Sequence, residues 1–193
     1  MFSVFDDDPL KRSALKKFLL LPLLAAVLLL IPTTACSVFG PSSPPQPILT
    51  TYINDQYGYS VGHPKDWQMT EESKKEVYFL SLDPEKGYFS VGVLENATLP
   101  ISEIAKRWLV AVSQMQDDVV LVDTVKMEGL WDWYLSYDYV TKWGEDFHAE
   151  SFFKQIGTRV YRIETVGEKA SFSNYPFSAI ISSFKLSTEQ PTK

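Results

Sequence analysis

From Ile48 onward, apolar and aromatic positions alternate with polar ones at the two-residue spacing of half-buried strands. Ile48 to Ile53 predicts a short strand closed by Asn54-Asp55, and Gly58 to Gly62 predicts a second. His63-Pro64-Lys65-Asp66 predicts a turn, because Pro64 keeps His63 out of the helical region, and Trp67 to Thr70 resumes the strand pattern. Val77 to Leu82 and Tyr88 to Leu94 predict a hairpin around Asp83-Pro84-Glu85-Lys86-Gly87, whose proline and glycine supply turn geometry. The period then becomes helical: Ile101, Ile104, Ala105, Trp108, Leu109, Val112 and Met115 line one face of a helix starting near Pro100 or Ser102. Val119 to Met127, Leu130 to Thr141, Phe147 to Ile156 and Arg159 to Val166 follow as longer strands with short joints, the pattern of a meander. Phe177, Ile180, Ile181 and Phe184 mark a terminal helix ending near Lys185, and residues 188–193 form a polar tail.

In the strand from Leu130 to Thr141, one face carries Trp131, Trp133, Leu135, Tyr137 and Tyr139, while Tyr134 and Val140 share the other with Asp132, Ser136 and Asp138. The first face needs covering. An α+β domain over residues 48–187, an antiparallel sheet covered by a helix on one or both faces, is the expected packing.

The pattern before Ile48 is of another kind. Lys11, Arg12, Lys16 and Lys17 precede the apolar run Phe18 to Ile31, which ends in Pro32-Thr33-Thr34-Ala35-Cys36. A basic segment, a short apolar run and small residues before a cut describe a signal peptide over residues 1–35. The last four residues resemble a bacterial lipobox, whose usual form is Leu, a small residue, Gly or Ala, then Cys. Ala35 and Cys36 fit it, Thr34 is acceptable, and Thr33 stands in place of the preferred Leu. The resemblance implies that Cys36 takes a diacylglycerol on its sulfur and becomes the mature N-terminus. Two other outcomes stay open: ordinary secretory cleavage using Thr33 and Ala35, or an uncleaved anchor, for which the apolar run is shorter than the roughly 18 residues of a span. These three place the domain outside the cytoplasm; an unprocessed protein is the remaining alternative. Residues 36–47 include the run Ser37 to Pro47, SVFGPSSPPQP, a composition that suits a tether.

Cys36 is the sole cysteine, so the mature domain has no disulfide, thiolate nucleophile or zinc-thiolate site to offer. Without residues 1–35 the chain carries 14 basic and 21 acidic residues. That balance argues against nucleic acid, or an anionic lipid surface, as the main partner.

Two imidazoles are available. His63, beside Pro64, is expected to be a turn residue. His148 has better company: Glu150 shares its strand face, and Asp138 on the preceding strand comes opposite after a turn near Trp143. These three are a candidate Zn²⁺ or Mn²⁺ site, and a solvated polar sheet face explains them equally well. The sequence has no G-x-S-x-G elbow, P-loop or dinucleotide fingerprint, so no catalytic residue and no cofactor is expected.

Three stretches resemble the PsbP-like family: Tyr57-Gly58-Tyr59-Ser60-Val61-Gly62-His63-Pro64-Lys65-Asp66-Trp67, the helix from Ile101 to Met115, and Phe177-Ser178-Ala179-Ile180-Ile181-Ser182-Ser183-Phe184. The resemblance spans Thr51 to Leu186 in order. It implies an antiparallel sheet of about six strands between helices. Photosystem members of that family dock through basic residues and an N-terminal extension; this acidic, tethered chain shows no equivalent cluster. The expected function is a non-enzymatic, extracytoplasmic module, held to the cell membrane through Cys36, that binds a protein partner or supports assembly of a membrane complex. The alternative is a small-molecule or metal-binding module using a pocket between helix and sheet.

Overall fold

The long strand over residues 159–168 carries large apolar residues on both faces, and both faces are covered. A computed structural model of the chain describes residues 47–82 and 87–187. The signal segment, Cys36, the tether up to residue 46, turn residues 83–86 and the tail 188–193 lie outside the described residues. In chain order the elements are β1 (Leu49–Asn54), β2 (Tyr59–Pro64), β3 (Gln68–Ser73), β4 (Glu76–Leu80), β5 (Tyr88–Leu94), α1 (Ile101–Met115), β6 (Asp117–Lys126), β7 (Trp133–Val140), β8 (Asp146–Ile156), β9 (Arg159–Glu168), α2 (Phe177–Ser183) and β10 (Lys185–Leu186). A 3-10 turn at Phe172–Asn174 precedes α2. Seven strands form one antiparallel sheet in the order β3-β4-β5-β9-β8-β7-β6, and β1, β2 and β10 form a second, three-stranded sheet in the order β1-β2-β10. The α+β antiparallel class is as expected, with ten strands in two sheets rather than about six in one.

On one face of the large sheet, Leu135 and Tyr137 of β7, Phe147 and Phe153 of β8, and Val160 and Val166 of β9 pack beneath α1. The helix follows Pro100, whose carbonyl accepts the Glu103 and Ile104 N–H groups at 2.9 and 3.1 Å, and Glu103 sits favourably in its first turn. Its buried residues are Ala105 and Val112, with Ile104, Trp108 and Leu109 packed beside them. The other face, from β4, β5 and β9, meets the small sheet and α2: Phe79, Phe89, Val91 and Ile163 pack with Tyr59, Val61, Ile180 and Phe184. Among the described residues no helix is long and apolar enough to cross a membrane.

Three local expectations are corrected. β2 runs through His63 and Pro64, which pair with Thr50 and Leu49 of β1, so the turn moves on to Pro64–Trp67. The His63 ring stacks on Phe79 with centroids 4.7 Å apart, making it a packing residue. Trp131 is buried in the second core, with its ring 5.0 Å from Phe184, and does not share the α1 face with Leu135. The chain enters β7 only at Trp133, so alternation does not extend back to Trp131. At the C-terminus α2 stops at Ser183; Phe184 turns extended, and Lys185–Leu186 add a short strand beside Ser60 and Tyr59.

Candidate functional site

β9 presents Val160, Arg162, Glu164 and Val166 in alternation toward α1, so two opposite charges lie beneath the helix. Arg162 is 8% exposed and Glu164 5%. Charges so buried need partners, because desolvation costs several kcal/mol per ion, by order of magnitude about 5. Glu164 Oε1 accepts three hydrogen bonds: Trp108 Nε1 at 2.9 Å, Tyr137 OH at 2.5 Å and Ser151 Oγ at 3.1 Å. Arg162 Nη2 donates to Glu76 Oε1 at 2.8 Å and Ser90 Oγ at 3.3 Å, while its Cζ lies 3.4 Å from the Trp108 ring centroid. Trp108 thus holds both halves of the network, stacking on the cation and donating to the carboxylate.

The surroundings are built for this arrangement. Gly92 of β5 lies across from Arg162, and a Cβ there would meet the guanidinium in ordinary contact, 3.4 Å from Nη2 and 3.6 Å from Cζ. Burial pushes the Tyr137 hydroxyl far above its ordinary pKa, and the charge and hydrogen bond of Glu164 push the same way. Burial, then Glu164, also lifts Tyr139 to about 12. Tyr137 therefore remains a neutral donor throughout the physiological range. One group stays unsatisfied: Arg162 Nε is buried without a hydrogen-bond acceptor among the described residues.

Above this network, α1 and the β3–β4 hairpin enclose an open-sided groove of about 600 Å³. Leu99, Ile104, Trp108, Val160 and Phe153 supply apolar walls, and Arg162, Arg107, Lys75 and Glu76 supply charge. The volume falls within the range of ligand pockets, roughly 300–1,000 Å³.

The predicted trio of Asp138, His148 and Glu150 does meet, on the opposite face of the sheet. Asp138 and His148 are direct partners in the β7–β8 register, with Nδ1 of His148 2.6 Å from Oδ1 of Asp138. Lys169 Nζ takes the other oxygen of Asp138 at 2.7 Å. Glu150 Oε1 lies 4.0 Å from His148 Nε2 and accepts the Tyr134 hydroxyl at 2.9 Å. Burial raises the Asp138 carboxyl, but the hydrogen bonds and charges of Lys169 and His148 outweigh it and hold the group below the ordinary carboxylate range. Within the trio only Asp138 and His148 are hydrogen-bonded, with both Asp138 oxygens engaged, and among the described residues no group of three or more His, Cys, Asp or Glu is placed to hold a metal ion. Cys36 lies outside the described residues.

The Ran-binding protein Mog1p of Saccharomyces cerevisiae superposes with a TM-score of 0.55 at 7% identity, over 72% of this chain and 95% of its own. Cyanobacterial PsbP (CyanoP) from Synechocystis sp. PCC 6803 does so with a TM-score of 0.55 at 15% identity, over 76% and 96% respectively. The fold is PsbP/Mog1-like. LpqN of Mycobacterium tuberculosis, described as involved in cell envelope biogenesis, has a TM-score of 0.50 at 10% identity, over 72% of this chain and 91% of its own. No protein-family model and no curated sequence matches the chain.

Sequence reasoning named the trio but missed Arg162, Trp108 and Gly92 as a set. Two signals were present. Arg162 and Glu164 alternate with Tyr161 and Ile163 inside a strand whose neighbours are mostly apolar, and Gly92 stands between two valines where a strand ordinarily carries a side chain.

Proposed function

We propose that this protein is a non-enzymatic binding module, held on the extracytoplasmic side of the cell membrane through lipid on Cys36. The observation that carries the binding part is the groove between α1 and the β3–β4 hairpin, with a buried guanidinium at its base and apolar walls. The charged groups of the described domain support a non-catalytic role: Glu164 is engaged by three donors, and Asp138 by Lys169 and His148. Neither is free to act as a base or nucleophile without dismantling its own network. The tether rests on the lipobox-like Thr33-Thr34-Ala35-Cys36 and the Pro/Ser-rich stretch after it. Lipid on an N-terminal cysteine supplies more than one acyl chain, which is enough for stable anchoring. Among proteins of the same fold, Mog1p is named for binding Ran and LpqN for a part in envelope biogenesis; both fit a fold used for binding.

The tether is tested by growing cells with radiolabelled palmitate and fractionating them. Label in the wild type, and its loss together with release from the membrane in Cys36→Ala, is expected. Membrane association unchanged in Cys36→Ala removes the lipid anchor. The binding part is tested with Ala111→Trp, which adds a large side chain to the lining of the groove from α1. Partners or ligands that co-purify equally with the wild type and this variant would show that binding lies elsewhere.

A further inference from the structure

We infer that the groove beneath α1 binds a single-chain amphiphile with a carboxylate headgroup, a molecule of the fatty-acid class, and that Arg162 and Arg107 receive its charge. This rests on the proposal that the groove is the binding part and adds the chemistry of the occupant. A buried ion pair is no more stabilising than apolar residues of similar size, so packing alone gives little reason to keep Arg162. Its retention here carries two further costs. The buried Nε–H has no acceptor among the described residues, and two cationic side chains are set at one groove.

The charge at the groove has one sign in excess. Arg162, Arg107 and Lys75 face it, against Glu76 alone. Glu76 bonds Nη2 of Arg162, and Lys75 pairs with Glu95 at 2.8 Å. Arg107 is exposed and has no carboxylate within ion-pair distance among the described residues. One buried guanidinium and one exposed cation suit a monoanion. The remaining walls, Leu99, Ile104, Val160 and Phe153, are apolar and suit an alkyl chain. The acidic balance of the chain disfavours a broad anionic surface as partner, whereas a single headgroup needs only this local cation excess.

The test uses the full-length protein in its own membranes, briefly exposed to a diazirine-bearing palmitic acid, irradiated and mapped by peptide mass spectrometry. Label is expected within residues 93–111, displaced by unlabelled palmitate. It should fall roughly tenfold or more in Arg162→Met, the loss of a charged hydrogen bond, and about threefold in Arg107→Gln. Ala111→Trp should abolish it by filling the groove while keeping both cations, with folding checked by circular dichroism, which covers the case in which Arg162→Met fails to fold. A diazirine lysophosphatidic acid is the second probe. Groove labelling by that probe alone, undisplaced by palmitate, overturns the carboxylate assignment and leaves the binding module standing. Groove labelling by palmitate that is unchanged in Arg162→Met and Arg107→Gln overturns the role of the cations. Label from neither probe within residues 93–111 overturns the inference, and co-purification with Ala111→Trp then decides separately whether the groove binds anything else.

Discussion

Replacing Trp108 with Phe separates its two tasks. The ring over Arg162 is kept, whereas the Nε1–H that reaches Glu164 at 2.9 Å is deleted. Glu164 is 5% exposed and keeps Tyr137 and Ser151, so a buried carboxylate loses one donor of three. A hydrogen bond to a charged group contributes roughly 1.5–3 kcal/mol. Trp108 is half-buried, so water replaces part of the lost donor and the lower end applies; a weaker ring–cation contact adds about 0.5 kcal/mol. The expected loss is about 2 kcal/mol, read as a lower urea midpoint at unchanged slope. In a Glu164→Gln background the same substitution should cost under about 1 kcal/mol, because the partner of the missing donor is already altered. Stability within about 0.5 kcal/mol of wild type, or strict additivity of the two substitutions, would refute a network centred on Glu164.

Gly87→Ala should destabilise by about 1–3 kcal/mol through overpacking, since its Cβ would fall 2.3 Å from Cε1 and 2.4 Å from Cζ of Tyr175. The cost should largely vanish in a Tyr175→Ala background, and a wild-type melting temperature for Gly87→Ala would show that the ring does not lie over that glycine. Asp138 has a depressed folded-state pKa, so its contribution is present above the ordinary aspartate value of about 3.9 and lost as pH falls through the lower folded value. Asp138→Asn should therefore be less stable than wild type near neutrality, with the gap closing in acid; a gap independent of pH contradicts the pairing with Lys169 and His148. At high pH the sign reverses for the buried phenols. Burial, then Glu164, lifts Tyr139 to about 12, so its neutral form stabilises the native state below the ordinary value of about 10 and that contribution is lost as pH rises through about 12. Phenolate absorbance should accordingly rise late and together with alkaline unfolding, and complete tyrosine titration in the folded protein would be the contrary outcome.

The helix face from Ile101 to Met115 and the strands β7 to β9 were legible because one face of each is largely buried, which fixes their period, whereas exposed β6 was legible from its run of β-branched and apolar residues. Where burial is weak, so is the signal. β3 is exposed along its whole length, and only Trp67 to Thr70 suggested it. The division into two sheets was not legible, since β1 and β2 alternate whether they extend the large sheet or stack on it, and the two residues of β10 are too few for any pattern. The Asp138–His148 pairing could be read because a hairpin register follows from adjacent strands. The role of Lys169 could not, being set by the course of the chain after β9. Arg162 and Glu164 were hidden for a related reason. Alternation assigns them to a face, while only the placement of α1 turns that face from solvent into a helix bearing Trp108.

The most direct measurement is native mass spectrometry of the protein extracted from its own membranes, comparing the wild type with Ala111→Trp. The binding-module proposal predicts a chain beginning at Cys36 and carrying covalent lipid in both proteins, with a noncovalent ligand on the wild type that is missing from Ala111→Trp. A chain retaining residues 1–35, or a wild type and variant with the same noncovalent complement, would contradict it.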